Sequence, residues 1–260
     1  MNCLHKLFPA ICLSLLTMST LLSAQDRVFK NSAATGNLIE LYSSEGCSSC
    51  PPAEAWINHL QTTPELWKDI FPVAFHVDYW DGLGWPDRYA RPEYTQRQRD
   101  YAARLGQDSV YTPEFVVNGR EWHHGWMGGN ALPGEAAAKT GELALTVHAD
   151  GKFSASYRAA AVATKPLVLN VAVLGIHDST DVQAGENSGR KLEHDFVVLG
   201  FSSTAMVARN SKTFQADPGP IKSSTNDAPG AIVAWVSDSD GMILQVTGGW
   251  LTAPGMQASR

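Results

Sequence analysis

Leu41-Tyr42-Ser43-Ser44-Glu45-Gly46-Cys47-Ser48-Ser49-Cys50-Pro51-Pro52-Ala53-Glu54 carries the chain from a strand into a helix through a pair of cysteines. Leu38 to Tyr42 is a short apolar run suited to a buried strand. Gly46 to Pro52 reads as a turn, and Ala53, Trp56, Ile57 and Leu60 follow at helical spacing. Pro51 and Pro52 fit the first helical turn, where a missing N–H costs little. If Cys47 opens the helix, its sulfur faces unpaired N–H groups and the positive end of the macrodipole, which favours the thiolate. Cys50, one turn on, is then placed to resolve a mixed disulfide. Glu45 acts in the opposite sense, because a nearby carboxylate raises a thiol pKa. A structural disulfide and a metal site are the other uses of such a pair. Closing a four-residue loop removes only roughly 2 kcal/mol of chain entropy. Two thiolates make half a zinc site, and the chain has no second CxxC. The expectation is therefore a redox dithiol without a metal.

Working outward, Phe71 to Trp80 is the next strand. In a right-handed β-α-β unit both strands end at one edge, beside the start of the helix. Alternation then puts His76, Asp78 and Trp80 on one face at the Cys47 edge, opposite Phe75, Val77 and Tyr79. His76 is a candidate to accept the thiol proton or steady the thiolate, and Asp78 to relay a proton. The alternative is that both hold the Gly-, Pro- and aromatic-rich loop from Asp81 to Pro92. Glu93 to Leu105 reads as a charged helix stopped by Gly106. Thr112-Pro113 leads an antiparallel strand through Phe115 to Val117, so its start falls at the same edge as Cys47. Asn118-Gly119 is a hairpin turn, and Ala131 to Lys139 a closing helix. The order β-α-β-α-β-β-α predicts an α/β domain over residues 36–141.

The second half changes character. Leu143 to His148 and Phe153 to Arg158 flank the turn Asp150-Gly151. Val168 to Ile176, Asp195 to Phe201, Ala231 to Ser237 and Met242 to Thr247 are further strands, the last two joined by Asp240-Gly241. With helical periodicity nearly absent, residues 142–252 read as an antiparallel β-sandwich domain.

The first 24 residues read as a signal peptide. His5 and Lys6 precede a mostly apolar run from Leu7 to Leu22, and Leu22-Ser23-Ala24 is a small-residue exit before Gln25. An uncleaved anchor is the alternative, disfavoured by Pro9 and the Ser and Thr residues in the run. Cleavage removes Cys3 and Cys12, leaving Cys47 and Cys50, and places the protein in the periplasm or outside the cell, with no stable membrane insertion. A formal net charge of −6 argues against nucleic acid and anionic membranes as partners.

Trp80, Trp85, Trp122 and Trp126 fall near the predicted active edge. They form either an apolar rim for an unfolded or peptide substrate, or pins that hold long loops to the core. His123-His124 is a poor metal pair, since neighbours on a strand face opposite ways. Gly185-Glu186-Asn187-Ser188-Gly189-Arg190-Lys191 lacks the strand-loop-helix setting of a phosphate loop. It reads as a turn ordered by Arg190 and Asp195, or as a second recognition surface. There is no HExxH and no GxSxG.

Gly46-Cys47-Ser48-Ser49-Cys50 followed by Thr112-Pro113 resembles the thioredoxin superfamily. The match is closer to an exported bacterial family known as a domain of unknown function, family 1223. Its opening resembles residues 41–54, and its middle resembles Phe75-His76-Val77-Asp78-Tyr79-Trp80-Asp81, Gly84-Trp85, Arg97-Gln98-Arg99 and Tyr101-Ala102. Its proline loop resembles Tyr111-Thr112-Pro113-Glu114, and its C-terminal half Gly185 to Arg190 with His194-Asp195. The resemblance implies a thioredoxin-like fold, a cis peptide bond between Thr112 and Pro113 facing the CxxC, and Cys47 as the attacking cysteine. Ser-Ser between the cysteines departs from both Gly-Pro and Pro-His, and Pro51 stands where thioredoxins often have Lys. The redox potential is left open within about −270 to −120 mV.

Two functions are expected from this reading. One is an exported thiol-disulfide oxidoreductase that needs no cofactor and acts on protein or small-molecule thiols and disulfides. The other is a non-catalytic envelope binding or interaction protein with a structural or vestigial CxxC.

Overall fold

The computed structural model describes residues 25–32, 36–123, 132–133 and 140–251. The predicted signal segment, the expected helix from Ala131 to Lys139 apart from Leu132 and Pro133, and Trp126 and His124 lie outside the described residues.

The first half runs β1 (Arg27–Asn31), β2 (Asn37–Ser43), α1 (Pro51–His59), β3 (Ile70–His76), α2 (Pro92–Leu105), β4 (Glu114–Val117) and β5 (Arg120–Glu121). Short 3-10 turns at Leu60–Thr62 and Asp78–Leu83 follow α1 and β3. The second half adds β6 (Gly141–Val147), β7 (Phe153–Ala159), β8 (Leu167–Gly175), β9 (Asp178–Asp181) and β10 (Lys191–His194). It continues through β11 (Val197–Ala205), β12 (Val207–Ala208), β13 (Thr213–Ala216), β14 (Ala231–Asp238) and β15 (Ile243–Trp250).

Local chemistry accounts for many of these boundaries. Pro51 and Pro52 start α1, and Gly106 ends α2 in the left-handed region at φ 70°. Asn118 and Gly119, at φ 51° and 79°, make the tight turn between β4 and β5. β2 and β3 are parallel, with Leu41 opposite Ala74, and β4 is antiparallel to β2.

The expected architecture, an α/β thioredoxin-like domain followed by an antiparallel β-sandwich, is not what the chain forms. Strand accounts for 42% and helix for 15%, and the strands build large sheets that ignore the expected division. One eight-stranded mixed sheet has the order β15-β14-β8-β11-β3-β2-β4-β5, joining strands from both halves. The join is at β3 and β11. Val197 pairs with Ala74 in parallel, and the Ala74 N–H donates to the Phe196 carbonyl at 2.8 Å. The physical reason is the edge of β3. All seven of its residues are buried, so its free N–H and C=O groups need a partner. The partner is β11 from the second half, which then pairs antiparallel with β8.

A second sheet, β1-β6-β7-β13-β12, packs on the β8, β11 and β14 part of the first. Leu143, Leu145 and Tyr157 meet Val171, Ile232 and Val236 there. The other core gathers Leu38, Tyr42, Phe75, Tyr94, Phe115 and Trp235 around α1, α2 and the large sheet. The β9–β10 ribbon stands apart from both sheets. No helix among the described residues is long and apolar enough to cross a membrane.

Candidate functional site

Cys47 and Cys50 form a disulfide at the mouth of α1. The expected order along the helix is shifted by one turn. Cys50, not Cys47, is the residue before the helix, and its carbonyl accepts from the N–H groups of Ala53 and Glu54. Cys47 sits in the preceding turn, with its N–H donating to the Ser44 carbonyl at 3.1 Å. The two successive prolines explain the shift, since helical geometry begins where φ is already fixed. Both cysteines are fully buried, while Ser48 and Ser49 between them are exposed.

The proline loop comes to this pair. The Thr112–Pro113 peptide bond is cis, and the Thr112 carbonyl oxygen lies 3.9 Å from Cys47 Sγ. The Ser49 hydroxyl is 3.3 Å from the same sulfur. Trp80 Nε1 donates to Thr112 Oγ1 at 2.8 Å, and Trp85 Nε1 to Glu45 Oε2 at 2.7 Å. These two tryptophans are tied to the walls of the site. Trp122 instead packs on Trp56 and Phe115, with ring centroids 5.4 and 5.9 Å away.

Asp78 lies beyond the end of β3, which stops at His76. Its carboxylate accepts from the Thr95 hydroxyl, and that hydroxyl accepts from the Asp78 N–H at 3.0 Å. Asp78 therefore ties the 3-10 turn to α2. His76 holds Asp87 through Nδ1 at 2.6 Å and has its Nε2 3.5 Å from Glu54 Oε1.

His76 is one link in a buried chain of charge. Glu54 on α1 accepts from the Ser43 hydroxyl and contacts His194 Nδ1 at 2.6 Å. His194 Nε2 stands 3.2 Å from Glu45 Oε1. Asp87 also accepts from the N–H groups of Glu45 and Tyr89, at 2.8 and 2.9 Å. All five side chains, from Asp87 through His76, Glu54 and His194 to Glu45, are buried. Burial alone disfavours the charged forms of Asp87, His76, Glu54 and His194. Asp87 and Glu54 outweigh that at His76 and raise its pKa; Glu54 and Glu45 do so at His194, raising it to about 10. In return, against their own burial, the imidazoles hold the carboxyls of Glu54 and Asp87 below the usual range.

Sequence reasoning found His76 and missed Glu54, Asp87 and His194 as its partners. Glu54 carried a signal, being an acidic residue among Ala53, Trp56 and Ile57 on the face that α1 buries. His194 carried one too, since it alternates inward with Leu192 along β10 while Lys191 and Glu193 face out.

The Gly-rich segment before β10 is also part of the site. Asn187 is fully buried, and its Nδ2 donates to the carbonyls of Glu45 and Cys47 at 2.8 and 3.0 Å. Glu186 Oε2 accepts from the Ser48 N–H at 3.0 Å. Arg190 holds Asn187 Oδ1, and Asp195 accepts from the His177 N–H, so Arg190 and Asp195 bind different partners. His123 lies 3.2 Å from Glu121.

Glu114, next to Pro113, is buried and accepts from Gln98 Nε2 at 2.6 Å. Burial raises its carboxyl pKa to about 7. A carboxyl raised on folding costs stability as pH climbs from its unfolded value of 4.5 through the folded one. Glu114→Gln keeps the acceptor for Gln98 and cannot ionise. The variant is expected to gain about 1–3 kcal/mol over the wild type between pH 5 and pH 8, as measured by denaturant unfolding. Equal pH dependence in the two proteins would exclude Glu114 as the source.

Residues 38–237 match the family described as "Protein of unknown function (DUF1223)". Among solved structures, protein AGR_C_4864 from Agrobacterium tumefaciens is similar, with a TM-score of 0.55 and 19% identity, over 88% of this chain and 100% of that one. HBP35 of Porphyromonas gingivalis is similar with a TM-score of 0.56 and 16% identity, over 88% of this chain and 79% of that one. At these identities the likeness is one of fold. The comparison with curated proteins found no match.

Proposed function

The chain belongs to the DUF1223 family, and from the geometry of its site we propose that it is an exported thiol-disulfide oxidoreductase. The observation that carries this reading is the juxtaposition of Cys47–Cys50 with Thr112, whose carbonyl faces Cys47 Sγ at 3.9 Å. In the reduced state the Cys47 thiolate attacks a partner disulfide and expels one partner thiolate. The Cys50 thiolate then displaces the other partner sulfur from Cys47. The partner leaves as a dithiol, and the Cys47–Cys50 bond is restored. No cofactor enters this cycle. The substrates are protein or small-molecule disulfides and thiols, and Trp80 and Trp85 are the aromatic groups beside them. Kinship with the thioredoxin superfamily is proposed for these motifs, not for the mixed-sheet fold.

The burial of both cysteines favours a second reading, an envelope interaction protein whose disulfide only ties the turn. One experiment separates the two. After reduction, Cys50→Ser is expected to accumulate a mixed disulfide through Cys47 with a model peptide disulfide, and Cys47→Ser to accumulate none. If neither variant traps the peptide and the wild-type pair resists excess dithiol in the folded protein, the oxidoreductase reading is wrong.

A further inference from the structure

We propose that Glu54, His76 and His194 form a binding site for one divalent transition-metal ion of the zinc type, next to the Cys47–Cys50 turn. The inference rests on groups other than the cysteines and does not depend on thiol chemistry.

The three residues come from α1, β3 and β10, and one ligand atom from each lies within 4.8 Å of the other two. Two imidazoles and a carboxylate are a donor set that zinc and its first-row neighbours accept. His76 Nε2 and Glu54 Oε1 are 3.5 Å apart. Two donors about 2.0–2.2 Å from a tetrahedral ion stand roughly 3.3–3.6 Å apart, so this pair is already at the spacing of one edge.

The orphaned atoms point the same way. His76 Nε2, His194 Nε2 and Glu45 Oε1 are buried without a hydrogen-bond partner in acceptable geometry. All three of their residues are at most 1% exposed. Burying such groups unpaired costs about 1–3 kcal/mol each, more when charged. An ion beside Glu54 gives the free Nε2 of His76 something to bind, while His194 turns its Nδ1 to the same carboxylate at 2.6 Å.

The surrounding contacts orient the ligands. His76 Nδ1 is held by Asp87, which is fixed in turn by the N–H groups of Glu45 and Tyr89. That arrangement leaves Nε2 as the ligand atom, with a carboxylate behind the imidazole, as metal-bound histidines usually have. Glu45, whose other oxygen is held by Trp85, stands 3.2 Å from His194 Nε2 as a neighbouring anion.

The test uses the full chain with its disulfide intact, so that no thiolate is offered. The protein is stripped with a chelator, and Zn2+ is then titrated by calorimetry, with metal content measured after dialysis. One equivalent is expected to bind. Asp87→Asn should weaken binding roughly 10–100-fold, and His194→Gln should weaken it further. Wild-type protein loaded with Co2+ keeps the test independent of variant folding. It should show the visible bands of a low-symmetry nitrogen and oxygen site without sulfur charge transfer. Absence of stoichiometric metal binding by the folded wild type would overturn the proposal. So would binding unchanged in folded His194→Gln, or a cobalt spectrum showing sulfur ligation.

Discussion

Replacing Arg97 with alanine is expected to destabilise the protein by about 3–5 kcal/mol, because it leaves a buried carboxylate without its cation. Arg97 on α2 donates through Nε to Glu40 Oε2 at 2.7 Å. Glu40 is fully buried on β2 and also accepts from the hydroxyls of Tyr42 and Tyr101. The guanidinium lies 5.1 to 5.5 Å from the ring centroids of Phe75, Tyr101, Phe201 and Trp235. The substitution therefore removes charge pairing and aromatic contact together. Since domains are stable by only about 5–15 kcal/mol, such a loss is a large part of the total. Denaturant unfolding measures it. The double variant Glu40→Gln/Arg97→Met, which buries no charge, is expected to be more stable than Arg97→Ala. A loss below about 1 kcal/mol in Arg97→Ala would place the pair among ordinary surface ion pairs.

Asn187→Ala is expected to speed reduction of the Cys47–Cys50 disulfide by a small dithiol roughly ten- to a hundredfold. Both sulfurs belong to fully buried residues, so a reductant reaches them only when the covering segment opens. Asn187 closes that segment by donating to the carbonyls of Glu45 and Cys47. Losing its amide leaves buried acceptors unsatisfied at about 1–3 kcal/mol, and each 1.4 kcal/mol is a factor of ten in the open population. The rate is followed by timed alkylation and mass analysis. Glu186→Gln, which touches the exposed Ser48 N–H, should change it far less. A rate unchanged in Asn187→Ala would mean that the sulfurs are reached by another route.

How much of this was legible in the sequence depends on how local the signal is. β2, the prolines that open α1, the Gly106 stop and the Asn118-Gly119 turn are written in neighbouring residues, and each sits where its chemistry places it. The meeting of Cys47 with Thr112 followed from the direction of two strands and from the family resemblance. The sheet order was not legible. Nothing in the alternation of Val197, Val198 and Leu199 distinguishes a strand that joins β3 from one that stays in its own half. For the same reason the contacts of His194 were hidden. Its inward position is visible from Leu192, but the ribbon that carries it to Glu54 is a tertiary fact. The strand expected to run through Trp80 stops at His76, so the alternation that placed Asp78 reached two residues past the strand, where the backbone has already turned into a 3-10 segment.

The seam between β3 and β11 sets the order in which the protein is able to become itself. As a growing chain emerges, β2, α1 and β3 are available early, yet β3 stays an open edge until the residues around Val197 have followed. The buried side chains of Glu45, Glu54, His76 and Asp87 wait equally long for His194. Contacts of such long sequence separation form late and slowly. Until then the first half exposes an apolar, unpaired strand, the kind of surface that invites association with other chains. A nascent or truncated copy ending before β11 is therefore expected to self-associate more readily than the whole chain.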